Sequence, residues 1–227
     1  MNFDPNLATV ETALEALGEL ADDLLLIGGC AVGLLVTESA AISIRPTRDV
    51  DMITEATPLS SYYALCNRLK ERGFREHHDE VICRWIKDST IIDIVPADKA
   101  ILGFTNTWYA PAARSATRMS LPSGRQANII SAPYFLATKL EAFASRGEGD
   151  FMHHDIEDIV TVIDGRPSIA QEVAQSDIGL RQFLQDEFEA LLTNTTFVER
   201  LPWLLSPNQP EARQILLLER LQLLAGY

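Results

Sequence analysis

The sequence predicts a mixed α/β part followed by an all-helical part, and three observations carry this reading. A short apolar strand at 24–27 runs into Gly28-Gly29, with a helix behind the glycines. A second strand at 50–53 is entered through Arg45, Thr47, Arg48, Asp49 and Asp51. Past Ser131-Ala132-Pro133, every remaining segment repeats its apolar residues at helical spacing. The expected division is an α/β core over residues 1–131 and a helical part over 132–227.

Each element follows from local pattern. Leu7, Val10, Leu14, Leu17 and Leu20 fall on one helical face, which predicts a first amphipathic helix over 7–20. The apolar run at 24–27 reads as a buried strand and 31–36 as the helix after the glycines. Thr57-Pro58 opens a helix through Leu69 that closes at Gly73. Strands at 81–86 and 91–95 pair around Lys87-Asp88-Ser89 and stop at Pro96. Strands at 114–121 and 126–130 flank the turn Pro122-Ser123-Gly124-Arg125. Helical stretches follow near 134–145, 155–164, 168–175, 178–193 and 209–222, punctuated by Pro167, Pro202, Pro207 and Pro210.

Composition narrows the function classes. A chain of 227 residues with 47% apolar content can bury a full core. No apolar run is long enough to span a bilayer, and the start at Met1 lacks the basic and apolar stretches of a signal peptide. Cys30, Cys66 and Cys83 are odd in number and widely spaced, which predicts reduced core thiols in a cytoplasmic protein with no zinc pattern. The net charge of −13 argues against broad nucleic-acid binding, which needs a basic stripe. Arg114, Arg118, Arg125, Lys139 and Arg146 cluster in one third of the chain, leaving room for a small nucleotide or a narrowly held RNA end.

Three carboxylates carry the chemistry. Side chains alternate along a strand, so Asp49 and Asp51 share a face with Val50 opposite. Two adjacent carboxylates repel, and a divalent cation relieves them. Asp93 stands in Ile91-Ile92-Asp93-Ile94-Val95, where a lone carboxylate is costly unless paired or coordinated. Together they predict a three-carboxylate site for Mg2+ or Mn2+. The Gly28-Gly29 pair lets backbone N–H groups approach a phosphate. Arg45, Thr47 and Arg48 flank the aspartates as candidate triphosphate contacts. The histidine pairs His77-His78 and His153-His154 read as loop residues, because sequence neighbours do not share a helix or strand face.

In this order, Gly28-Gly29, Arg45-Pro46-Thr47-Arg48-Asp49-Val50-Asp51 and Ile92-Asp93-Ile94-Val95-Pro96 resemble the minimal nucleotidyltransferase fold of the polymerase-beta kind. A second anchor, Lys139-Leu140-Glu141-Ala142 followed by Arg146 and then His154-Asp155-Ile156-Glu157-Asp158-Ile159, resembles the AbiEii-like (MenA-like) nucleotidyltransferase toxins. The two anchors span residues 24–165; the tail from 168 resembles no known pattern. The chain departs from the family at His154, where Lys or Arg is common.

The resemblance implies a mixed sheet with flanking helices and a helical part that closes a nucleotide cleft. It implies transfer of NMP from an NTP to an acceptor hydroxyl, with a tRNA 3′ end as acceptor and an antitoxin as partner. Asp49, Asp51 and Asp93 would hold the metal and act catalytically with Lys139 and Asp155. Gly28, Gly29, Arg45, Thr47, Arg48, Arg146 and Asp158 would contact the nucleotide. Lys139 also has a physical case of its own. Its helix turns Phe135, Leu136, Leu140 and Phe143 inward, and a lysine beside a polyphosphate neutralises charge. Two other readings stay open: transfer to a small molecule or a protein, and a non-catalytic nucleotide-binding module.

Overall fold

The computed structural model describes residues 4–38, 43–77, 82–205 and 210–227. His78, Val81 and Pro207 lie outside these residues. In chain order the elements are α1 (Leu7–Leu17), β1 (Leu24–Leu26), α2 (Val32–Leu35), β2 (Asp49–Thr54), α3 (Leu59–Glu71), β3 (Arg75–His77), β4 (Arg84–Lys87), β5 (Thr90–Pro96), α4 (Lys99–Leu102), α5 (Tyr109–Arg114), β6 (Thr117–Ser120) and β7 (Gln126–Ile129). The helices α6 (Ala132–Arg146), α7 (His154–Gly165), α8 (Ile169–Ala174), α9 (Ile178–Thr193), α10 (Thr195–Leu204) and α11 (Pro210–Leu224) follow. Two compact units result, one built from Asp4–Gly33 with Pro46–Ser131 and the other including Leu34–Arg45 with Ala132–Tyr227.

The first unit holds a seven-stranded mixed sheet in the order β3-β4-β5-β2-β1-β7-β6. β1 runs antiparallel to β2 and parallel to β7, and β2 runs parallel to β5. β1 is apolar on both faces, with Leu24, Leu25 and Leu26 all buried, whereas Val50, Met52, Ile92 and Ile94 bury one face of β2 and β5. Helix α1 packs on β2 and β5 through Val10, Leu14 and Leu17. It ends at Leu17, short of the predicted Leu20, because Gly18 turns out of the helix at φ +56 and the chain continues as a 3-10 turn.

Other differences also have local causes. The segment after Gly28-Gly29 is a 3-10 turn and a four-residue helix, shorter than predicted. Arg114 closes the short helix α5, so the predicted strand at 114–121 begins only at Thr117. The turn itself is as expected, with Leu121 and Arg125 bonded across it and Gly124 at φ +83.

Every described secondary-structure element from Ala132 onward is a helix. Helix α6 packs on α7 and α9, and α11 packs on α7 and α9, around Phe135, Leu136, Ile159, Ile163, Leu184 and Leu221. The described residues 34–38 and 43–45 belong to this second unit. Thr37 and Glu38 donate backbone N–H groups to Gly165 O at 2.9 Å each, at the end of α7. Arg213 and Arg220 of α11 cover the same helix end: Arg213 Nη2 donates to Asp164 Oδ2 at 2.6 Å, and Arg220 Nη1 to Ile163 O at 2.9 Å. Helix α10 was not evident from sequence because Pro202 lies inside it. Asn194 starts it by accepting from Thr196 N and Phe197 N. Among the described residues, no helix is long and apolar enough to cross a membrane.

Candidate functional site

The parallel register of β2 and β5 sets Asp51 against Asp93. Strand alternation adds Asp49 to the same face, so all three carboxylates lie on one side of the sheet. Each is held differently. Buried Asn6, fixed at the start of α1, accepts the Thr47 N–H at 2.8 Å, and Thr47 Oγ1 donates to Asp49 Oδ1 at 2.9 Å. Asp51 lies against Gly28, whose φ of 67° and ψ of −164° are open essentially to glycine alone. A Cβ built on Gly28 would stand 2.0 Å from Asp51 Oδ2. The first glycine therefore makes room for a carboxylate. Gly29 is buried in the turn that follows. Arg48 is exposed beside them.

Arg84 completes this face, and sequence reasoning missed it. It stands directly opposite Asp93 in the β4–β5 ladder. Its Nε donates to Asp93 Oδ1 at 2.8 Å, and its Nη2 donates to both Asp93 Oδ2 and Asp49 Oδ2 at 2.7 Å. The Asp93 hydrogen bonds hold the guanidinium still further above its ordinary pKa. A signal for it existed. The β4–β5 turn has only two residues between strands, Asp88 (φ +53) and Ser89, and that length pairs Lys87 with Thr90 and hence Arg84 with Asp93. A three-residue reading of the turn loses that register. The neighbouring Cys83 thiol is no nucleophile: burial, then the charges of Asp93 and Asp51, push it up to about 12.

The residues expected from the second anchor gather in the helical unit. Lys139 is buried, and its Nζ donates to Asp155 Oδ1 at 2.9 Å and Asp158 Oδ2 at 2.7 Å. Arg146 forks onto Asp155 with two 2.9 Å hydrogen bonds, and Arg45 Nη2 reaches Asp158 Oδ2 at 3.3 Å. Burial alone would raise the Asp155 pKa, but the Arg146 hydrogen bonds and Lys139 outweigh it and hold the carboxyl well below the usual range. Burial likewise works against the Lys139 ammonium, and Asp158 and Asp155 overcome it, so its pKa is raised. The Lys139 ammonium, expected beside a polyphosphate, is engaged here by two carboxylates. Asp155 is fully buried, which makes it an anchor for cations rather than an open acid.

Two further expectations change. His153 and His154 do come together with Asp155, each offering an atom within 4.8 Å of the others. His153 caps α7 in extended conformation and accepts the Asp155 N–H at 3.2 Å, and its ring lies tilted against that of His154, 4.0 Å between centroids. Both Asp155 oxygens already accept from Lys139 and Arg146, so a divalent ion there would meet two cations. The all-oxygen donor set of Asp49, Asp51 and Asp93 suits Mg2+ or Mn2+ better. Two of the basic residues that cluster in sequence are also answered by acids: Arg118 pairs with Asp22 at 3.0 Å and Arg125 with Glu15 at 3.4 Å, both at the surface. A cleft of about 600 Å3 opens at the Thr54 end of β2, away from Asp49, between Asp22, Glu55, Arg68 and Asn128.

The fold is that of nucleotidyltransferase-like proteins. No protein-family model and no curated protein matches the sequence. The structure is similar to an antigenic nucleotidyltransferase-like protein from Paracoccidioides brasiliensis, with a TM-score of 0.54 at 18% identity over 88% of this chain and 92% of that one. The antibiotic-resistance factor ANT(2'')-Ia aligns at a TM-score of 0.49 and 18% identity, over 82% of this chain and 95% of that one. JHP933 from Helicobacter pylori aligns at 0.46 and 14%, over 100% and 94%. At 18% identity the likeness to the Paracoccidioides brasiliensis protein is one of fold.

Proposed function

We propose that this chain is a metal-dependent nucleotidyltransferase that moves NMP from an NTP to an acceptor hydroxyl. The observation that carries the reading is the register of Asp51 with Asp93, which puts three carboxylates on one face of the sheet. Asp49 and Asp51 are the residues to hold a divalent ion, with Asp93 as third ligand or as base for the acceptor. Held there, Mg2+ or Mn2+ would supply positive charge to the polyphosphate. The acceptor oxygen attacks the α-phosphorus, the bond to the β-phosphate oxygen breaks, and pyrophosphate leaves. The acceptor proton passes to a carboxylate on this face. Gly28 and Gly29 contribute a close-approach turn, and Arg48 and Thr47 stand beside it. The Lys139, Arg146 and Arg45 network orders Asp155 and Asp158 in the helical unit.

The acceptor assignment rests on the likeness of the two sequence anchors to AbiEii-like toxins, which favours a tRNA 3′ end and an antitoxin partner. A second acceptor class has its own support: the net charge of −13 and the pairing of Arg118 and Arg125 with acids favour a small-molecule or protein hydroxyl. Incubating the protein with each α-labelled NTP, Mg2+ and either total tRNA or a metabolite extract separates them. Label in tRNA that is lost in Asp51→Asn supports the toxin reading. Label only in small molecules, or only in a protein extract added in place of the tRNA, moves the assignment, and no Asp51-dependent label with any of the three refutes transfer.

A further inference from the structure

We propose that Arg84 is an internal counter-cation of the Asp49–Asp93 pair, which a divalent ion displaces when it binds. The inference rests on the metal-site reading above. It starts from geometry: one guanidinium spends three hydrogen bonds of 2.7 to 2.8 Å on both oxygens of Asp93 and one of Asp49. Those same oxygens are the donors a hard cation needs. Asp93 is buried, and the Arg84 side chain is 17% exposed, so the pair is little screened by solvent.

The arrangement answers a problem that three carboxylates on one face of the sheet create. Without a cation they repel, and a buried one is costly. Arg84 supplies a positive charge that is covalently part of the chain, so the face stays assembled before metal arrives. The same charge opposes metal entry. A divalent ion that takes Asp49 and Asp93 must break the fork, and the freed guanidinium is left at the rim of the site, where an anionic polyphosphate can receive it. Metal and nucleotide therefore bind with positive coupling. Arg84 is a positioning residue for the aspartates.

The test is Mn2+ binding, measured by calorimetry and by loss of the free-ion EPR signal without nucleotide, to wild type, Arg84→Gln and Arg84→Lys. Arg84→Gln is expected to bind Mn2+ about tenfold or more tightly, the equivalent of one charge-assisted hydrogen bond. Arg84→Lys, a point charge that cannot fork, is expected to fall between. A second measurement needs no variant: the Arg84 Nε–H resonance of the wild type should shift and saturate with added Mg2+. Equal or weaker Mn2+ binding by Arg84→Gln, or an Nε–H resonance that Mg2+ does not move, overturns the displacement and leaves the proposed function standing. Tighter binding without NMP transfer to any acceptor refutes the function and upholds the displacement. If neither protein binds Mn2+, both fail.

Discussion

Gly28 and Asp51 are in contact across the turn that follows β1: a methyl group on the glycine would stand 2.0 Å from the Asp51 carboxylate oxygen. The glycine also holds a φ of 67° and ψ of −164°. Gly28→Ala is therefore penalised twice, by backbone strain of about 1–3 kcal/mol and by the displacement of Asp51. We expect a lower melting temperature together with a large loss of transfer activity. A variant that melts and turns over like the wild type would show that Asp51 is free to sit elsewhere.

Asp51 and Asp93 should part company when each is made neutral. Asp51→Asn removes one of three like charges and leaves the Arg84 fork intact, so it should abolish transfer while the protein melts as high as before or higher. Asp93→Asn strips Arg84 of its main partner, and we expect a loss of about 2–3 kcal/mol, less than that of a fully buried pair. Denaturant titration of both variants checks the contrast; equal losses would contradict it.

Lys139→Ala leaves Asp155 and Asp158 buried without the ammonium between them. The expected cost is about 3–5 kcal/mol, so the variant should lose stability as well as activity. This reverses what a polyphosphate-facing lysine would do, namely lose turnover with folding unchanged. Circular dichroism melts beside activity assays distinguish the two.

Acid should act through Asp155. Its folded pKa is depressed, so it contributes stability that is complete above the unfolded value and is lost as the pH falls below about 4 toward the lower folded value. Asp155→Asn should flatten the acid limb of the stability profile and lower stability at pH 7. An unchanged acid limb would place the acid sensitivity in other carboxylates.

Asp4 should show the opposite sign. One of its oxygens is buried with no hydrogen-bond partner, and burial raises its pKa. The charged form therefore costs stability at neutral pH, and the cost fades as the pH falls through the folded pKa to the unfolded one. Asp4→Asn should stabilise the protein at pH 7 and leave it unchanged at pH 3, as read by thermal melts at the two values.

Periodicity and turn chemistry are local properties, and the sequence alone was enough to determine what depends on them. The change from strands to helices at Ser131, the Asp49–Asp51 face, the 122–125 turn and the apolar β5 all follow from alternation, helical spacing and glycine conformations. Pairing between distant residues is a different matter, because it depends on register and on which buried charges find partners. Only the tertiary structure set Asp93 beside Asp51, put the Arg84 guanidinium on Asp93 and Asp49, tied Asn6 to Thr47, and placed Lys139 at the buried centre of an ion network. A single residue of slip in the β4–β5 turn would have sent Arg84 to the other face. A charge read in isolation says only that it must be satisfied, and the fold decides by what.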